Sequence, residues 1–191
     1  MTRTLLLIDQ ISAWVGKTFA WIILVMTLFI SYDIITRKFV PALALPAQVC
    51  AFDWEYMLYG TLFMMAGPYA LSRGSMVRGD MLYRTWPVRT QATIDLILYF
   101  FFFLPGILAL AGPGLDFAMQ SLRLGERSPN CPNGPFAWPF KFVIPFAGAL
   151  FLLQGAAEMI RCGQAMMSGI WPMRYADVEE TETRLTQESQ L

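Results

Sequence analysis

LILYFFFFLPGILALAGPGLDF, residues Leu96–Phe117, holds 22 residues and only one charge, Asp116, next to its far end. A hydrocarbon core about 30 Å thick takes roughly 20 helical residues to cross. Three stretches of similar character flank it: Trp14–Ile35 and Trp54–Leu71 before, and Phe136–Ile160 after. A lipid-exposed backbone must satisfy its own hydrogen bonds, which favours helices over an open sheet. The sequence therefore predicts an all-α, polytopic membrane protein with four transmembrane helices. They form one membrane domain, residues 1–172, and an acidic, mobile cytoplasmic tail covers 173–191.

Composition closes off several functions. With 56% hydrophobic and 15% charged residues, the chain is too apolar for a soluble domain of its size. Fourteen basic residues are matched by fourteen acidic ones, so no basic face for nucleic acid is expected. The absence of histidine argues against a bis-imidazole haem anchor and against the usual carboxylate-bridged di-iron site. Cys50, Cys131 and Cys162 form no C-x-x-C pair, which argues against a quinone-linked disulfide oxidase. No catalytic, cofactor-binding or metal-ligating residues are expected, and the chain is read as no enzyme. Asp33, Arg37 and Lys38 interrupt the route from the first apolar stretch to the small residues Ala42-Leu43-Ala44, so that stretch reads as a retained helix, not a signal peptide.

Between the helices, Phe39 to Pro46 reads as a surface loop. Met76 to Trp86 places Met81, Leu82 and Trp86 among arginines, the pattern of a short interfacial helix between helices two and three. Pro105 and Gly112-Pro113-Gly114 predict a kink near the middle of helix three and an early or distorted end. Gln120 to Pro139 reads as an ordered but irregular excursion. Gly60, Gly67 and Gly74, seven residues apart, predict a close-packing groove on helix two, repeated by Gly148 and Gly155 on helix four. With four crossings, nine basic residues fall on the side of the termini and five opposite, which predicts both ends in the cytoplasm. Cys50 and Cys131 then share the periplasmic side, either as a disulfide or as two separately buried thiols, and Cys162 faces the cytoplasm.

A transporter acting alone needs polar or ionisable groups near mid-bilayer. Here Asp9, Asp33, Asp53, Glu55, Asp80, Asp95, Asp116 and Glu158 all fall at or near predicted membrane boundaries, and Gln154 and Thr61 are poor substitutes. Asp33 with Arg37 and Glu158 with Arg161 have the spacing of ion pairs on one helix face. Asp95 reads as an N-terminal cap of helix three.

The ordered set Tyr32-Asp33-Ile34-Ile35-Thr36-Arg37, Asp53-Trp54-Glu55-Tyr56, Gly67-Pro68-Tyr69-Ala70-Leu71, Arg73-Gly74 and Val77-Arg78-Gly79-Asp80 resembles the small permease subunit of tripartite ATP-independent periplasmic (TRAP) transporters. The resemblance spans most of Trp14 to Arg161, with Met76 standing where the family often has histidine. It implies a scaffold in a bacterial inner membrane. A large permease subunit would carry the sodium and substrate sites, and a periplasmic binding protein would deliver a small organic acid. The positions this reading selects for subunit contact or orientation are Arg37, Trp54, Glu55, Gly67, Arg73, Arg78 and Asp80. The alternatives are a stand-alone homo-oligomeric transporter and an anchor or assembly factor of another complex.

Overall fold

The computed structural model describes residues 2–39, 50–74, 83, 85–128, 130–131 and 134–178. Within them the chain forms α1 (Thr2–Phe39), α2 (Ala51–Ser72), α3 (Val88–Leu98), a π-helical turn (Tyr99–Phe103), α4 (Leu104–Leu124) and α5 (Trp138–Ser168). The π turn joins α3 and α4 into one rod, so four rods run up, down, up and down. Among the described residues the only bridge between extended residues pairs Arg127 with Phe136. The expected surface loop beyond Phe39, the interfacial segment apart from Tyr83, Thr85 and Trp86, and the tail beyond Val178 lie outside the described residues.

Among the described residues three stretches, Arg3–Phe39, Val88–Leu124 and Trp138–Ser168, are long and apolar enough to cross a membrane. At 1.5 Å per residue α2 is about 33 Å long. Asp53, Glu55, three tyrosines and Pro68 dilute its apolar character, and it falls short of the other three on composition.

The outer helices are longer than the apolar pattern suggested. α1 begins at Thr2, three turns before Trp14, and α5 continues two turns past Ile160. Hydropathy marks where a helix meets lipid, whereas these extensions are held by packing on each other. The rod of α3 and α4 also runs on, past Gly112-Pro113-Gly114 to Leu124, where Gly125 takes the left-handed conformation (φ 60°). An early end is not observed, because Gly114 lets Ile144 and Pro145 of α5 press close to the rod. The distortion lies just before Pro105, whose missing N–H leaves the Phe101 carbonyl without its i+4 donor, and the wider π turn absorbs the irregularity. Asp95 is not a cap. Pro87 occupies that position, and Asp95, about two turns further on, accepts a 2.7 Å hydrogen bond from the Tyr83 hydroxyl.

α5 is the central rod and touches every other helix. Val15 of α1, Met65 of α2 and Ala147 and Leu150 of α5 form the apolar core, with Phe19, Met64 and Val143 around it. Small residues let the rods approach, as Ala92, Ala118, Ala147, Ala157 and Ala165 are fully buried. The opposite faces carry large exposed apolar side chains, among them Trp21, Leu28, Phe63 and Phe102, each at least 70% exposed. In water so extensive an apolar surface is a liability; in lipid or against a partner it is ordinary.

The glycines do not form one seam. A Cβ at Gly67 would lie 2.1 Å from the tip of the Phe151 ring, so Gly67 serves the chain's own α2–α5 packing. Gly60 borders open space, and Gly74 lies beyond the end of α2 with φ 64°. On α5, Gly148 meets the Cβ and backbone of Ala111, and Gly155 meets Phe103. Backbone is the less forgiving neighbour. Gly148→Leu is therefore expected to destabilise the bundle by about 1–3 kcal/mol through overpacking, while Gly60→Leu changes little. Thermal unfolding of both variants in detergent checks this.

Candidate functional site

The polar residues of α5 at 154, 158 and 161 fall on one stripe of the helix, and α1 meets that stripe with Asp9 and Ser12. Arg161 Nη2 donates to Asp9 Oδ2 at 2.5 Å, and Nη1 donates to Asp9 Oδ1 at 3.0 Å and to Glu158 Oε1 at 2.6 Å. Gln154 Nε2 donates to Asp9 Oδ1 at 2.8 Å, and Gln154 Oε1 accepts from the Ser12 hydroxyl at 2.9 Å. The segment after α5 closes the cluster: Arg174 Nη2 donates to Glu158 Oε2 at 2.9 Å, and the backbone N–H of Tyr175 donates to Asp9 Oδ2 at 3.2 Å. Asp9, Gln154, Glu158 and Arg161 are at most 1% exposed. Two carboxylates face two guanidiniums, and each carboxylate oxygen has a donor. The cluster is neutral and closed within the chain, and it offers no vacant ligand for a travelling ion.

The spacing of Glu158 and Arg161 had suggested an ion pair, and the pair forms. Asp9 and Arg174 as its partners were not foreseen. The i, i+4, i+7 spacing of Gln154, Glu158 and Arg161 was the available signal, since it places three polar groups on one face of an apolar helix.

At the other end, Cys50 and Cys131 are joined in a disulfide with a Cα–Cα distance of 5.6 Å, tying the start of α2 to the loop after α4. One turn into α2, Asp53 is buried and accepts from Asn130 Nδ2 at 3.0 Å. The loop folds back through the Arg127–Phe136 bridge, where the guanidinium stacks 4.4 Å from the Phe136 ring. Lys141 of α5 hydrogen-bonds the Glu126 carboxylate and lies 3.9 Å from the Phe117 ring centroid. That hydrogen bond, before any other influence, holds the Glu126 carboxyl below its ordinary range.

The residues selected from the sequence are dispersed. Arg37 pairs with Asp33 at 2.9 Å and its side chain is 58% exposed. Trp54 is half-buried, edge-on to Phe140 of α5, and Glu55 beside it is half-buried too. Arg73 stacks on Tyr69 at the far end of α2, 5.4 Å from the ring centroid. Gly67 packs inside the bundle, and Arg78 and Asp80 lie outside the described residues. The described ones converge on no pocket.

Comparison with known families gives one match: residues 26–164, more than half of the chain, fit the model described as the DctQ component of tripartite ATP-independent periplasmic transporters. The chain belongs to the DctQ family. It is a membrane protein and a small component of a TRAP transporter, a transport family and not an enzyme family. No curated protein and no solved structure matches the chain. The matched region of this DctQ protein takes in the disulfide and the α5 half of the ionic cluster, while Asp9 and Arg174 lie beyond it.

Two outcomes follow from these ends of the DctQ chain. Removing one member of a buried pair strands the other charge, so Asp9→Ala should cost about 3–5 kcal/mol, and the Asp9→Leu/Arg161→Met double variant should recover much of that loss. Unfolding of the singles and the double checks it. A carboxyl with a lowered folded pKa adds stability above the ordinary carboxylate range and loses it as pH falls through the lowered value. Acidification from about pH 6 to about pH 3 should therefore lower the melting temperature of the wild type more than that of Glu126→Gln.

Proposed function

We propose that the chain is the scaffold subunit of a sodium-coupled TRAP transporter in a bacterial inner membrane, bracing a large permease subunit. That permease carries the sodium and substrate sites, and a periplasmic binding protein delivers a small organic acid to it. The observation that supports the scaffold role is the closed ionic cluster: the charges of Asp9, Glu158 and Arg161 are spent on one another and on Arg174. The broad exposed apolar faces of α1, α2 and α4 fit the same role, as a bracing subunit needs surface for lipid and for a partner.

In this reading α2 crosses the bilayer as the fourth span, packed against α1 and α5 with Asp53 and Pro68 buried. Both termini and the basic connection before α3 face the cytoplasm. Lys17, Arg73, Arg89, Arg161 and Arg174 then gather at the cytoplasmic end, and the disulfide lies in the oxidising periplasm. Arg37, Trp54, Glu55 and Arg73 are the described positions assigned to contact or orientation.

Glu55→Gln separates the scaffold from a transporter in its own right. The scaffold role predicts a severalfold lower yield of complex with the large permease and unchanged sodium dependence in the complex that survives. Yield and sodium-dependent uptake measured on one purified sample decide it: full yield with altered ion coupling overturns the assignment.

A further inference from the structure

Two helices that cross a membrane side by side normally close the gap between them with their own side chains. α1 and α2 leave theirs open. The groove has a volume of about 410 Å³, and the small residues Gly16, Ala20 and Ala66 line it together with Phe19, Ile23 and Leu62. No acidic residue is among its described lining residues. One end is shut by Tyr69, whose Cβ would stand 2.5 Å from a Cβ at Gly16, so the absence of a side chain at Gly16 lets Tyr69 close the slot. At this end only, the groove becomes cationic: Lys17 is among its lining residues, and the Arg73 guanidinium stacks on the Tyr69 ring.

We propose that this groove is a phospholipid site, holding one acyl chain along α1 and α2 with an anionic headgroup at Lys17 and Arg73. The occupant follows from shape and charge. A slot lined in part by glycine and alanine admits a single hydrocarbon chain, whereas a partner helix, about 10–12 Å across with its side chains, needs a wider trough. Cations at a single end match a ligand with one anionic head and one apolar tail. Each Lys or Arg near a membrane surface is worth about 1 kcal/mol toward anionic lipid. The site rests on the chain lying in a membrane and is independent of the scaffold role.

The test is lipid retention. The protein is placed in nanodiscs of equal phosphatidylglycerol and phosphatidylcholine, extracted into mild detergent, and its bound lipid identified by native mass spectrometry. The wild type should keep one phosphatidylglycerol in about tenfold preference over phosphatidylcholine. Lys17→Gln with Arg73→Gln should remove that preference, and Ala20→Leu with Ala66→Leu, which fills an exposed slot and spares the core, should remove the lipid itself. Lys17→Gln alone, at an exposed side chain, should weaken the preference without disturbing the fold. Failure of the wild type to retain lipid overturns the site, as does retention that none of these variants changes. Loss of the large permease from the groove-filled variant with lipid retention intact overturns it in favour of a protein partner.

Discussion

Two arginine N–H groups reaching both oxygens of Asp9 hold the first helix of the described chain to the last. An ion pair this deeply buried contributes little net stability, because desolvating both charges offsets most of their attraction. Its effect is on uniqueness. Apolar rods can slide past one another or change register at small cost, but a displacement that separates Asp9 from Arg161 strands two charges. The cluster thus fixes how far α1 and α5 overlap, and the segment through Arg174 and Tyr175 is fixed with them.

The second fixed point is covalent. The disulfide and the Asp53–Asn130 hydrogen bond pin the opposite end, so the bundle is constrained at both ends and packed through its middle by small residues. Those constraints leave the outward faces of α1, α2 and α4 free to be largely apolar.

Much of this was legible in the sequence. Apolar runs of bilayer length gave the rods, and the family resemblance rested on motifs around Asp33, Trp54 and Gly67 that the match over residues 26–164 also covers. What was hidden lies in contacts distant along the chain. Asp9 and Arg161 are 152 residues apart, so no local pattern names them as partners. The segment from Thr2 to Ala13 is helical because α5 receives its polar face, a fact absent from its own hydropathy. Asp95 was misplaced because α3 starts earlier, at Val88. The glycine period on α2 was real in sequence, yet its members meet different surroundings: Gly67 meets Phe151, Gly74 beyond the helix end meets Arg174, and Gly60 opens on a cleft lined by Met64, Phe140 and Ile144.

The separation of Asp9 from Arg161 also sets a schedule for biosynthesis. A ribosome adding about 5–20 residues per second takes roughly 8–30 s to pass from one to the other. For most of that interval the first helix is already made, while the guanidinium that will meet its carboxylate does not yet exist. Cys50 and Cys131 both precede Arg161 in the sequence, so both disulfide partners are in the chain before the ionic cluster can begin to form. Arg174, the final cation of the cluster, follows the end of α5, so the cluster is complete only after the last helix has been made.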